Sequence, residues 1–529
     1  MARTRLFSIV KRALNAAGAS SKAGASALTR RQMLLLSGAA SLAACAPLGL
    51  GHGNKQESSI AIVGGGVAGL TVAYRLAQAG KHATIYEASS RFGGRMYTQH
   101  NFNSEGMLCE LGGELVDTDH APLISLAKEV GVGIQRLKLE ENGGEDIYYL
   151  GGRLRSERDM LRHGKGAFLT IAKQISLDQQ LLTDANDNWT EQARTLDQMS
   201  IAQYLAQFRG RAPDWAIDLL DLAYMGEYGL PTNQQSALNL VDLISAETGA
   251  KSGFAMFGKS DEVFRIEGGS QALPDALFAK LGPSVKTQPK FALESIGRNR
   301  AAFSLVFSTP AGRAKATHEI VVMALPFTRL RDVAGIDAIG LDATKLKCIK
   351  ELGYGDNAKV MVGTTSRPWA DGTAKLPVKS DGEFYSKDFQ VVWDTSRGQE
   401  GKRGILTNFL SGVEEESQAL ASMQSGLRQI SPAIADSLDP SNIASFFWAK
   451  HPHTRGSYAS AKVGQYTTLL EVAATPAFDG ALQFAGEHTS ADFLGFMRGG
   501  VDSGERVAKA LLTPGKQASE PSPFRERAG

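Results

Sequence analysis

Gly64, Gly66 and Gly69 stand at the G-x-G-x-x-G spacing, and Glu87 follows about 20 residues later. Those four positions describe a device for holding a dinucleotide. Gly64 permits a tight turn, Gly66 lets the backbone approach a pyrophosphate, and Gly69 lets a helix pack close against a strand. The carboxylate of Glu87 suits a ribose hydroxyl. Arg91-Phe92-Gly93-Gly94-Arg95 comes next, with two more glycines for close backbone approach. Its two cations suit phosphate or electron-rich ring oxygens, although solvated arginines around an ordinary turn would look the same. On these residues alone the dinucleotide is either NAD or FAD.

The elements that must position these groups are legible around them. Ser59-Ile60-Ala61-Ile62-Val63 is nearly unbroken in apolar character, as a buried parallel strand should be. A helix is predicted over 70–79, ended by Gly80, with its free N–H groups and positive dipole end toward the phosphates. A second strand, His82-Ala83-Thr84-Ile85-Tyr86, delivers Glu87. Far downstream, Leu482-Gln483-Phe484-Ala485 predicts another strand with Gly486-Glu487 at its end, where open α/β sheets bind ligands. A helix predicted over 499–512 could stabilise negative charge through its N-terminus. Lys359 precedes Val360, Met361 and Val362, so it is either paired in a buried site or set at a sheet edge facing solvent.

Taken together, Glu87 to Arg95, Phe484 to Glu487 and Gly495-Phe496-Met497 resemble the flavin amine oxidase family. The likeness continues through Glu110-Leu111-Gly112-Gly113-Glu114, Arg265-Ile266-Glu267-Gly268-Gly269-Ser270, Val322-Met323-Ala324-Leu325-Pro326, Asn357 to Val360 with Arg367-Pro368-Trp369, and Trp448 to Tyr458. It spans residues 57–512 in scattered blocks. The resemblance implies FAD, held by Gly64, Gly66, Gly69, Glu87, Arg91, Gly93, Gly94, Arg95, Gly112, Gly113, Glu114, Phe291, Trp448, Gly486, Glu487 and Met497. It implies that Arg95 lies near the flavin, that Glu487 contacts the ribityl or phosphate region, and that Met497 lies beside the ring. Lys359 matches the lysine that holds a water against flavin N5. Tyr458 and Phe496 match a pair of cage aromatics, which as bare residues could equally be core packing. His488 carries no mark of a general base.

Three departures from the family shape the expected chemistry. Phe496 replaces the tyrosine of the animal monoamine oxidases, keeping the apolar wall without the hydroxyl. Ser457 stands where those enzymes attach flavin through a cysteine, so the FAD is expected to be non-covalent. Leu115 stands where the L-amino-acid oxidases of the superfamily carry a carboxylate-clamping arginine; this favours an amine substrate unless another arginine substitutes, with Arg498 the first to suspect. The expected reaction is hydride transfer from an amine α-carbon to flavin N5, giving an imine that water hydrolyses to an aldehyde and ammonia, with oxygen reduced to hydrogen peroxide. An L-amino-acid oxidase or a carbon–carbon desaturase would share the flavin motifs, and so would a flavin-bound isomerase or a non-catalytic exported flavoprotein.

The expected fold is α/β, a Rossmann-like FAD-binding domain (57–125, 258–335 and 451–513) interleaved with an α+β substrate domain (126–257 and 336–450). Residues 155–255 should be largely helical, including stretches at 201–208 and 215–223. Thr29-Arg30-Arg31-Gln32-Met33-Leu34 with the short apolar run after it predicts a twin-arginine signal within 1–45, and hence the twin-arginine export machinery as a partner and a periplasmic location. Leu42-Ala43-Ala44-Cys45 resembles a lipobox, which would anchor the protein through lipidated Cys45 on the outer side of the membrane. Residues 46–56 are a linker and 514–529 a disordered tail by composition. The 57 basic and 55 acidic residues leave a formal net charge of +2, which gives no electrostatic case for nucleic acid. The three cysteines suggest no disulfide framework, and no His/Cys spacing suggests a metal. Denaturing precipitation should leave the flavin in the supernatant; colour in the protein pellet would overturn the Ser457 argument.

Overall fold

The computed structural model describes residues 59–137, 144–242, 262–490 and 492–513. The twin-arginine motif, Cys45, the 46–56 linker, the 514–529 tail and residues 243–255 of the expected helical segment lie outside them. Five strands form a wholly parallel sheet in the spatial order Val285–Pro289, Ala83–Glu87, Ile60–Val63, Ile320–Met323 and Leu482–Phe484. The central strand Ile60–Val63 is buried along its whole length, which is why its sequence lacks the alternation of a half-exposed strand. A three-stranded antiparallel meander, Ala292–Arg298, Phe303–Thr309 and Gly312–His318, connects the edge strand Val285–Pro289 back to Ile320–Met323.

The first helix runs Val67–Gln78 and the last Met497–Leu512, so each begins two or three residues before its expected start. Their N-caps are Gly66 and Phe496, which bring no capping side chain and therefore no Ser, Thr, Asp or Asn signal to read. The two helices pack through small residues: a Cβ on Gly500 would lie 2.7 Å from Val67 Cγ1, and one on Gly504 2.7 Å from the Ala68 carbonyl oxygen. Gly69 serves the strand side of the first helix, since a Cβ there would lie 2.0 Å from the Gly64 carbonyl oxygen.

A second, mixed sheet has seven strands in the order Leu438–Phe447, Ala358–Thr364, Gly404–Leu410, Gln390–Asp394, Ser380–Ser386, Glu145–Leu150 and Arg153–Ser156. Only the Ser380–Ser386 and Glu145–Leu150 pair is parallel. The period of two divides Ala358–Thr364 cleanly. Val360 and Val362 join Leu406 and Leu410 in a core covered by the helices Glu416–Ile430 and Pro432–Ser437, whereas Met361 packs with Phe102, Cys109 and Leu111 on the opposite face. Lys359 shares that opposite parity. Helices Ile201–Ala206 and Asp214–Tyr228 appear where helical stretches were expected, and with Glu157–Gln179, Glu191–Asp197 and Leu238–Val241 they pack against the far end of this sheet. Cys109 and Cys348 are buried and free. No helix among the described residues is long and apolar enough to cross a membrane. Gly69→Ala should lower the unfolding free energy by about 2 kcal/mol through overpacking at this strand–helix contact, as read by denaturant titration.

Candidate active site

A cavity of about 420 Å³ opens beyond the C-terminal ends of the parallel strands. Gly64, Gly66, Glu87, Arg91, Gly93, Gly94 and Arg95 line one end, and Gly112, Gly113, Phe291, Trp448, Gly486, Glu487, Phe496 and Met497 the rest. Gly69 supports the wall without lining it. Both helix N-termini open here: Val67 and Ala68 of one, Met497 and Gly500 of the other, with no side-chain cap and no acid in either first turn. Unsatisfied N–H groups at two positive dipole ends fit a pyrophosphate and the electron-rich end of a flavin. The donor set fits FAD.

The charged groups of this cavity are tied to the protein. Glu87 accepts from the Gly65 N–H at 2.7 Å and the Ser89 N–H at 2.8 Å. Arg91, expected to supply a cation for phosphate or flavin oxygens, lines the cavity; it donates to the carbonyls of Phe92 (3.1 Å), Met96 (3.0 Å) and Gly94 (2.5 Å), and lies 4.0 Å over the Tyr97 ring. Its role here is to hold the Gly93-Gly94 turn, whose φ values of +117° and +58° only glycine adopts easily. Arg95 donates to the Ser457 carbonyl at 2.8 Å and to Glu487 at 2.7 Å. Glu487 also accepts from the Gly495 N–H at 2.8 Å. Burial pushes the Glu487 carboxyl up, but Arg95 and the Gly495 hydrogen bond outweigh it and hold the group below the usual value. Trp448 donates from Nε1 to the Leu111 carbonyl at 2.8 Å, fixing the Gly112-Gly113 loop. Glu110, at the head of that loop, is pushed up to about 7 by burial while Ser270 and Thr98 donate to it.

A smaller chamber of about 30 Å³ shares Gly112 with the first cavity. One cross-strand row, Lys359, Phe409 and Val391, forms a wall, and the neighbouring pair Glu383 and Trp393 forms another. Lys359 is buried, and its Nζ lies 2.8 Å from Glu114 Oε2 and 5.1 Å over the Trp393 ring. Glu114 was expected among the cofactor contacts; it faces this chamber instead, because its other oxygen accepts from Arg265 and Trp393, each at 3.3 Å. Burial raises the Glu114 carboxyl, and Lys359 and Arg265 more than reverse this, leaving it below the usual range.

Of the two expected cage aromatics, Phe496 lines the larger cavity, whereas Tyr458 lines neither. The Tyr458 ring packs against Gly495, and its hydroxyl donates to the Glu227 carbonyl at 2.6 Å. Arg498 donates to Asp502 and to the Asp119 carbonyl and stacks on Phe493, away from both cavities. Arg397 lines the chamber instead; its Nε donates to the Asp394 carbonyl, and Nη1 is buried 3.7 Å from Glu383 with no hydrogen-bond partner among the described residues. Sequence reasoning assigned no role to Arg265 and missed Glu383, Trp393 and Arg397. No local signal marks Glu383 or Trp393, whose strands are of mixed polarity, and only strand pairing shows them facing Lys359. Burial pushes His488 down to about 3, so it is a neutral imidazole, 4.4 Å from the Phe327 ring.

A dinucleotide cavity at the ends of a parallel sheet, next to a charged chamber, is the arrangement of a dinucleotide-dependent oxidoreductase. The chain matches the model of the flavin containing amine oxidoreductase family over residues 67–512, and it belongs to that family. The (S)-6-hydroxynicotine oxidase of Paenarthrobacter nicotinovorans is 24% identical, over 85% of this chain and 98% of its own. The L-amino-acid oxidase of Pseudechis australis is 21% identical, over 85% and 86%. The solved structure of cyclohexylamine oxidase from Brevibacterium oxydans superposes with a TM-score of 0.71 at 19% identity, covering 86% of this chain and 98% of that one, which shows the same two-domain fold. The protein is thus an FAD-dependent oxidoreductase of amine donors.

Because the folded Glu487 carboxyl lies below its ordinary value, its contribution is present through the neutral range and is lost as pH falls through the folded value, below the usual carboxylate range. Flavin affinity should hold near neutrality and fall in that acid window. Glu487→Gln should reproduce the acid behaviour at neutral pH, weakening FAD binding about tenfold in a fluorescence titration.

Proposed function

We propose that the protein is an oxidase of primary or secondary amines, removing a hydride from the carbon beside the nitrogen and yielding an imine, then an aldehyde with ammonia or the smaller amine, together with hydrogen peroxide. The observation that carries this reading is the buried Lys359 in a chamber that shares Gly112 with the cofactor cavity. FAD, when bound, supplies the hydride acceptor and the route of electrons to oxygen. The protein's own groups orient and exclude. Phe496 presents an apolar face in the larger cavity, and Trp393 and Phe409 wall the chamber against bulk water. Lys359 places an ammonium where a water or oxygen can be held beside the ring, the role its family counterpart has. His488, neutral and apart from both cavities, takes no proton. Export by the twin-arginine route, with Cys45 as a lipid anchor, belongs to the same proposal and rests on the 29–46 sequence alone.

A second reading, an L-amino-acid oxidase, draws support from one specific group. Arg397 offers a buried N–H without a hydrogen-bond partner inside the chamber, as a carboxylate would require. The carboxylates of Glu114 and Glu383 on the same walls oppose an anion there, which keeps the amine reading first.

Anaerobic addition of primary, secondary and polyamines should bleach the flavin absorbance, and amino acids should not. Bleaching by amino acids alone, abolished in Arg397→Met, would establish the second reading. Lys359→Met should slow reoxidation of the reduced enzyme by oxygen about tenfold or more while leaving the anaerobic step nearer its original rate.

A further inference from the structure

Lys359 does not stand alone in its chamber. Its Nζ is 2.8 Å from Glu114, and both side chains are only 4% exposed. Glu114 is itself held from three directions. Its backbone follows Gly112 and Gly113, the first set against the Arg95 carbonyl and the second against Met497, where added Cβ atoms would lie 1.9 Å and 2.7 Å from their neighbours. Leu115, the next residue, pairs with Arg265 across two antiparallel strands. Arg265 then reaches back to Glu114 Oε1 at 3.3 Å while also donating to the carbonyls of Thr395 and Arg397. A four-carbon lysine side chain has many rotamers, and a fixed buried carboxylate selects one.

We propose that Glu114 is the positioning residue for Lys359: it aims the ammonium toward the flavin side of the chamber and limits the buried Lys359–Glu114–Arg265 group to one net positive charge. The proposal rests on the reading of Lys359 given above. Two physical consequences follow from it. The first is geometric, because without the carboxylate Nζ can turn to the Trp393 face, and the water or oxygen it holds is lost. The second is electrostatic: neutralising Glu114 leaves two positive charges near the ring, which favours the electron-rich reduced flavin and raises its potential.

The test uses the FAD-loaded protein and two readouts, the flavin midpoint potential and the rate of reoxidation by oxygen, in Glu114→Gln, Lys359→Met and the double variant. Glu114→Gln should have a more positive potential and a reoxidation rate about tenfold lower. Lys359→Met should have a more negative potential. In the double variant the potential should return close to the parent value, and Glu114→Gln should add nothing to the slow rate of Lys359→Met. A Glu114→Gln protein with altered melting temperature but parental potential and rate overturns the proposal, as does a further rate loss in the double variant. If Lys359→Met itself reoxidises normally, the reading of Lys359 fails instead. Should Glu114→Gln not fold, Glu114→Asp keeps the charge but withdraws it from Nζ, and is expected to retain the potential while losing rate; loss of neither overturns the proposal.

Discussion

The ion pair between Arg95 and Glu487 joins positions 392 apart, both of which line the cofactor cavity. The Arg95 side chain also holds the Ser457 carbonyl, and its backbone carbonyl accepts from the Gly113 N–H at 3.0 Å. The second Glu487 oxygen takes the Gly495 N–H, which orients the loop leading into Phe496 and the last helix. The guanidinium thus joins the Ser457 and Glu487 segments to its own, and the Arg95 backbone adds the Gly113 loop. Glu487 is buried and Arg95 partly so, and the desolvation this costs is offset by their mutual attraction and by the Ser457 carbonyl and the Gly495 N–H.

Two different kinds of electrostatics lie on either side of Gly112. On the cofactor side, attraction for an anion comes from helix N-termini and backbone N–H groups, while Arg91 is held by backbone carbonyls and Arg95 is paired with Glu487. On the other side, full charges face one another across a small space. Backbone dipoles are fixed by the fold and do not titrate, which suits holding a cofactor. Side-chain charges can move and exchange protons, which suits chemistry. The lack of a Cβ at Gly112 permits the two environments to lie back to back, against the Arg95 carbonyl.

The features legible in the amino-acid sequence are mostly local ones. The glycine turn, the strand ahead of it, Glu87 and the paired glycines each depend on neighbours within about 20 residues, and the family resemblance joins the distant blocks. Lys359 is also visible as a charge in an apolar strand. The chamber around it is not, because Glu383, Trp393 and Arg397 reach it only through strand pairings that no local pattern specifies. Arg498 is close to Phe496 in sequence, but two positions along a helix turn a side chain about 200° away, and Arg498 reaches the Asp119 carbonyl. Tyr458 is legible as an aromatic, but sequence does not show that its hydroxyl donates to the 226–227 carbonyls and its ring packs into the helical core.

The parallel sheet takes its strands from residues 60–87, 285–323 and 482–484, and the last of these lies at an edge. Its central ladder can form early, but Glu487, Met497 and the second helix N-terminus join only when the final tenth of the chain is available. Long-range pairing of this kind is slow, because the loops must close before the contacts reward them. The order of events is therefore imposed by topology: synthesis first, sheet closure next, cofactor capture last. A ribosome-bound or C-terminally truncated chain would have the dinucleotide turn and no place to keep a flavin, so loading reports on completion of the whole molecule.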